Sequence, residues 1–260
     1  MTKISNKSGR VPLERAFSKL GIASRSQARQ WIIDGKVKVN GVKKCDPLLL
    51  VVPEKIKLSV EGRALGAASW RTIMLYKPRG VVTTRSDEKN RATVYSLLKE
   101  EDRHLHPVGR LDMATTGLLL MTSDTRLSNW LTDPKNKIPR VYTVTVEGMI
   151  GQAELDQLRH GVKDQGEILK LLEVVLRKAS GRESHLTVTL VEGKNREIRR
   201  MFEAVGHEVT QLKRVAFGGL DLELLKPGEY RNISRREIMI QFPRAQVGDP
   251  NVPQKESVDE

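Results

Sequence analysis

The stretch Gly109-Arg110-Leu111-Asp112-Met113-Ala114-Thr115-Thr116-Gly117 places one carboxylate in a loop that runs straight into the apolar strand Leu118-Leu119-Leu120. A carboxylate at the edge of a buried strand loses hydration, which disfavours its charged form unless a cation sits close by. Arg110, or an arginine distant in sequence, has to supply that charge. Taken alone, the segment also has a plainer reading, in which Asp112 closes a turn through side-chain hydrogen bonds.

Further strand signals lie on either side of this loop. Ile73 to Tyr76 is a short apolar run stopped by Lys77-Pro78-Arg79-Gly80, and Gly117 to Met121 is a second run. Val141 to Glu147 alternates, as do Leu186, Val188 and Leu190 against Thr187 and Thr189. Helices are expected at Thr125 to Leu131, Ala153 to His160 and Asn195 to Val205. In the last of these Asn195 is placed to cap, Ile198, Met201, Phe202 and Val205 form a core stripe, and Gly206 stops the helix. Arg196, Arg199 and Arg200 are left off that stripe.

Toward the N-terminus, Leu13, Ala16, Phe17 and Leu20 recur at helical spacing. Ser24, with Gln27 three positions later, signals the start of a second helix that buries Ala28, Trp31 and Ile32 and frees Arg25 and Arg29. Lys36-Val37-Lys38-Val39 then reads as a strand entering the hairpin dipeptide Asn40-Gly41, followed by an extended stretch from Val42 to Val60. Gly62 to Ser69 is rich in small residues and reads as a linker. The expected organisation is a small unit at 11–62, a linker at 63–70, a larger domain at 71–245 and a disordered tail at 246–260.

The formal net charge is +13, and residues 1–62 hold 13 Lys or Arg against 5 Asp or Glu. A concentration of that kind reads as a docking surface for a polyanion, with nucleic acid the leading partner. Cys45 is the single cysteine, so no intrachain disulfide can form and no thiol-rich metal site is available. No apolar run of signal-peptide or membrane-spanning type occurs, and a cytoplasmic location is expected. His104 and His106 sit near the Asp112 loop without a third ligand at suitable spacing, so no metal is expected.

Gly109-Arg110-Leu111-Asp112, followed by Thr115, Gly117 and Leu118, resembles the central motif of pseudouridine synthases of the RsuA-like family. Lys77-Pro78-x-Gly80 resembles the strand and turn that open that family's catalytic domain, and Arg140-Val141-Tyr142 its second motif. Gly193-Lys194-Asn195-Arg196-Glu197-Ile198-Arg199-Arg200-Met201 resembles the third. Ser24-Arg25 and Gly35-x-Val37-x-Val39-Asn40-Gly41 are similar to the S4 RNA-binding domain that precedes it. The resemblance implies an α+β fold, with an S4-like unit of two helices and a small sheet ahead of a mixed, largely antiparallel sheet flanked by helices.

It also implies an enzyme that turns a uridine of ribosomal RNA into pseudouridine, with a slight preference for the large subunit. Asp112 would be the catalytic carboxylate, Arg199 its cationic partner, and Tyr142 the ring that stacks on the uracil. The reaction oxidises nothing and imports no group, so no cofactor is called for. Arg110 would fill the space of a flipped nucleotide or hold its phosphate, while Arg25, Arg29, Lys36, Lys38, Lys194, Arg196 and Arg200 would contact RNA. A monomer acting on ribosomal RNA or a pre-ribosomal particle is expected. The competing readings are a non-catalytic RNA-binding or assembly factor, and a glycosidase, which needs a second carboxylate across the bond.

Overall fold

The computed structural model describes residues 9–20, 22–65, 70–245 and 247. The first unit comprises β1 (Val11–Pro12), α1 (Leu13–Lys19), α2 (Arg25–Ile33), β2 (Val37–Val39), β3 (Val42–Lys43), β4 (Leu50–Val51), β5 (Leu58–Val60) and β6 (Arg63–Leu65). Ser24 caps α2 by accepting the Gln27 N–H at 3.2 Å. Asn40 and Gly41 both take positive φ, at 50° and 82°, which is the backbone that a two-residue hairpin between β2 and β3 requires. Leu13, Phe17, Ala28, Ile32, Val37 and Leu58 close a small core, leaving Arg25, Arg29 and Lys38 exposed.

Two expectations fail in this unit. Val42 to Val60 is not one extended stretch: it breaks into three short strands, and Pro53 opens a 3-10 turn at Pro53–Lys55. Nor is the start of the linker free, because β6 pairs antiparallel with β5 and belongs to the same sheet, in the order β3-β2-β5-β6. The rest of the linker, 66–69, lies outside the described residues, as do 246 and 248–260 of the expected tail.

The second unit comprises β7 (Thr72–Lys77), β8 (His106–Pro107), β9 (Thr116–Thr122), α3 (Thr125–Thr132), β10 (Arg140–Glu147), α4 (Gln152–His160), β11 (Val162–Asp164) and β12 (Glu167–Leu169). It continues with β13 (Glu173–Ala179), β14 (Glu183–Leu190), α5 (Glu197–Ala204), β15 (Val209–Phe217), β16 (Leu220–Asp221), β17 (Tyr230–Asn232) and α6 (Arg235–Gln241). The main sheet runs β13-β14-β10-β15-β9-β7-β17. Its pairings are antiparallel except for β15 with β9, so the sheet is mixed and largely antiparallel.

Alternation along the central strands divides the core in two. Ile73, Leu75, Leu119 and Met121 pack on one face with α4 and α5, while Met74, Leu118 and Leu120 pack on the other with α3 and α6. Burying each such side chain stabilises the fold by about 1.5–3 kcal/mol. Asn195 does not cap α5; Arg196 takes that position in the left-handed region at φ 48°, with no side-chain cap. The expected stripe holds, with Ile198, Met201 and Phe202 buried and Val205 packed against them.

Candidate active site

The loop that carries Asp112 is pinned from below by β7 and the turn after it. Lys77 is fully buried, and its Nζ donates to the carbonyls of Thr115 at 2.8 Å and Pro78 at 3.1 Å, with Met113 at 3.5 Å. Gly80 N–H donates to the Met113 carbonyl at 2.9 Å, and the Thr83 hydroxyl donates to the Leu111 carbonyl at 2.8 Å. The turn itself closes through the backbone, Thr115 N–H to Asp112 O at 3.0 Å, rather than through the Asp112 side chain. The carboxylate is half-buried and makes no hydrogen bond or close ion pair among the described residues.

Asp112 lies on the wall of a cleft of about 470 Å³ that Arg110, Tyr142, Glu192, Lys194, Arg196, Glu197 and Arg214 also line. The pairing of β9 with β15 sets Gly117 opposite Arg214, and the pairing of β10 with β15 sets Arg214 opposite Tyr142. A bulge between Val141 and Tyr142 interrupts that second ladder, and bulges re-aim side chains where a site needs them. Tyr142 is buried with Val144 and Val146 on the core face and still reaches the cleft.

Two cations sense the Asp112 charge. Burial, with Arg196 adding to it, pulls the Arg199 guanidinium below its usual pKa; Asp112 acts the other way, against a further push from Arg79. Arg199 is fixed by donating Nη1 to the Val209 carbonyl at 2.6 Å, and its buried Nε has no partner among the described residues. Burial likewise lowers Lys77 to about 8, with Asp112 opposing the shift. Because the folded value lies below the ordinary 10.5, the unfolded chain binds more protons between those two values, so stability rises as pH climbs through that window. Denaturant titrations from pH 8 to 10.5 should show up to about 3 kcal/mol of that gain in the native protein and not in Lys77→Met.

The remaining cations named from sequence divide into groups. Arg110 and Arg196 are exposed on the cleft, and Lys194 lines it while paired with Glu192 at 3.4 Å. Arg25 and Lys38 are exposed on the first unit, where Arg29 pairs with Glu14 at 3.4 Å and Lys36 with Glu61 at 3.0 Å. Arg200 turns away from the cleft to ion pairs with Asp164 and Glu167 of the β11–β12 hairpin, so its charge is already compensated. Sequence reasoning missed Lys77 as a support of the loop, and it missed Glu197 and Arg214 as buried polar cleft residues. Glu197 lies inside the third motif and was legible there; Arg214 sits in a strand with no motif around it.

A half-buried carboxylate that shares a cleft with a tyrosine and acts on two cations suits nucleophilic or electrostatic work on an electron-poor sugar or base. Comparisons with known proteins agree with that chemistry. Residues 71–204 match the family described as RNA pseudouridylate synthase, and residues 13–47 match the S4 domain. A Bacillus subtilis protein named ribosomal large subunit pseudouridine synthase B is 36% identical over 87% of this chain and 93% of its own length. A Vibrio vulnificus ribosomal small subunit pseudouridine synthase A is also 36% identical, over 83% of this chain and 93% of its own. A solved structure titled as a pseudouridylate synthase aligns at a TM-score of 0.63 and 29% identity, covering 88% of this chain and 98% of that one. The chain belongs to the RNA pseudouridylate synthase family.

Proposed function

We propose that the protein isomerises one uridine of large-subunit ribosomal RNA to pseudouridine, with Asp112 as the catalytic carboxylate. The observation that carries this reading is the Asp112 side chain itself, without a hydrogen bond or close ion pair among the described residues, on a cleft that Tyr142 lines while Arg199 and Lys77 oppose its charge. The C1′–N1 bond breaks, the uracil turns in the cleft, and C1′ joins C5. The C5 proton then leaves while N1 gains one, so atoms and electrons balance without a cofactor. Tyr142 stacks on the ring, and Arg199 supplies a positive charge toward Asp112.

A paired or stacked uridine cannot reach this carboxylate, so the nucleotide is extruded, at a cost of a few kcal/mol. Arg110, exposed on the rim beside Asp112, fills the vacated space or holds the flipped phosphate. The first unit supplies phosphate contacts that set register without choosing the base. Each exposed cation there should add about 0.7–0.9 to the slope of log affinity against log salt. Replacing Arg25 and Lys38 together by Ala should therefore flatten that slope by about 1.5 and leave single-turnover chemistry on bound RNA unchanged. An unaltered slope in filter-binding titrations refutes the docking role.

The large-subunit substrate rests on the Bacillus subtilis relative, and a monomer working in the cytoplasm fits a protein acting on ribosomal RNA. No helix among the described residues is long and apolar enough to cross a membrane. Mapping pseudouridines in ribosomal RNA from cells with and without the protein tests the substrate. One large-subunit position should revert to uridine; loss of a small-subunit position instead would reassign it, and loss of none would refute the activity.

A further inference from the structure

The cleft holds polar groups that the reaction above leaves unused. Glu197 is 2% exposed and Arg214 is 3% exposed, and both line it. Glu197 Oε2 accepts the Lys194 backbone N–H at 3.0 Å, whereas Oε1 is shielded from water, with no nitrogen or hydroxyl donor on it among the described residues and the Glu192 carboxyl as its acidic neighbour. Arg214 donates Nε to the Leu118 carbonyl at 2.7 Å and lies 5.1 Å over the Phe217 ring. That is the one hydrogen bond its guanidinium makes among the described residues. Arg140, by contrast, is already engaged, donating to the carbonyls of Leu131, Ile138 and Val191. A buried carboxylate oxygen without a donor is costly, and a ligand that brings the donor relieves that cost.

Uracil brings a matching edge. Its N3–H donates, and the carbonyl oxygens O2 and O4 on either side accept. The isomerisation adds a geometric constraint: exchanging N1 for C5 at the sugar is a half-turn about the line through N3 and C6. That turn swaps O2 with O4 and leaves N3–H where it was. An acceptor on N3–H therefore holds the pivot throughout, and a donor beside it meets one carbonyl oxygen before the turn and the other after.

We infer that Glu197 and Arg214 form the uracil-reading wall of this cleft, Glu197 accepting N3–H at the pivot and Arg214 donating to the adjacent carbonyl oxygen. This rests on the assignment of the cleft beside Asp112 as the active site. The wall rejects cytosine, whose N3 is an acceptor and whose exocyclic amine is a donor, because like groups would then face each other across a dry contact. The charged groups facing Glu197 are Glu192 and Lys194 on the preceding loop and Arg140 from β10. Burial, then Glu192, pushes the Glu197 carboxyl up to about 7 against the Lys194 backbone N–H, so its acceptor form fills as pH rises through neutrality.

The test uses RNA ligated to carry either uridine or 3-methyluridine at the position the enzyme modifies, since the methyl group blocks N3–H without touching C1′, N1 or C5. The native protein should convert 3-methyluridine about 10- to 100-fold more slowly than uridine in single turnover, the range expected for losing a hydrogen bond to a charged group. In Glu197→Ala, which vacates space for the methyl group, the two rates should converge. Glu197→Gln cannot satisfy both N3–H and the Lys194 N–H, so it should slow uridine conversion and remove the rise in rate through pH 7 while RNA affinity is kept. Equal native rates on the two RNAs, or native discrimination persisting in Glu197→Ala, would overturn the inference. If Glu197→Ala does not fold, the native comparison and Glu197→Gln decide. Asp112→Asn separates the two claims: turnover by that variant would remove the active-site assignment, whatever the methylated RNA shows.

Discussion

Gly117→Ala is expected to lower the melting temperature by about 10 °C or more, the equivalent of about 4 kcal/mol for a chain of this size. Gly117 has φ 105°, and a Cβ built there would stand 2.1 Å from the Arg214 carbonyl oxygen and 2.8 Å from its nitrogen. These are backbone atoms of the neighbouring parallel strand, and β7 holds Gly117 from the other side through Lys77. Neither flank can give way without opening the sheet at its one parallel pairing, so overpacking and backbone strain add. Gly166 is the control, since its φ of 81° is also positive, with nothing among the described residues within 4 Å of the added atom. Its alanine variant should lose only about 1 kcal/mol. Thermal melts of the two variants side by side check the claim, and similar melting temperatures would contradict it.

Asp112→Asn is expected to reduce turnover by about 10⁴-fold or more, the scale seen when a member of a catalytic unit is removed. Asparagine fits the same space and leaves the loop's supports, which all engage the backbone rather than the Asp112 side chain, in place. What disappears is the charge that Lys77 and Arg199 oppose. RNA affinity should hold or rise slightly, because a negative charge is removed from a surface that meets phosphates. A folded, RNA-binding, inactive variant is thus the signature of a catalytic role rather than a structural one.

The parts of this account that sequence made legible are those where local pattern and tertiary demand coincide. The Ser24 cap, the Asn40-Gly41 hairpin and the α5 stripe each follow from residue type at fixed spacing. Strand β15 was not legible: Val209 to Phe217 interleaves Lys213 and Arg214 among apolar residues and is bulged against β10, so its alternation is broken. The parallel pairing with β9 that places Arg214 in the cleft joins residues nearly a hundred positions apart, which no local pattern encodes. The Asn195 cap failed for a related reason. Glu197, three residues past Lys194, takes up that turn's N–H, and the backbone enters the helix through Arg196 instead. Likewise the cationic residues were visible as a class, but ion pairs formed on folding decide which stay free for RNA, as Arg200 and Lys36 illustrate.

The most direct measurement supplies ribosomal RNA carrying tritium at uridine C5 and counts label released to water by equal amounts of native protein and Asp112→Asn, with RNA binding measured in parallel. Release matching one uridine per large-subunit RNA from the native protein, none above background from the variant, and binding by the variant at least as tight as the native protein's is the predicted result. Release by the variant at the native rate, or none by either protein, would contradict it.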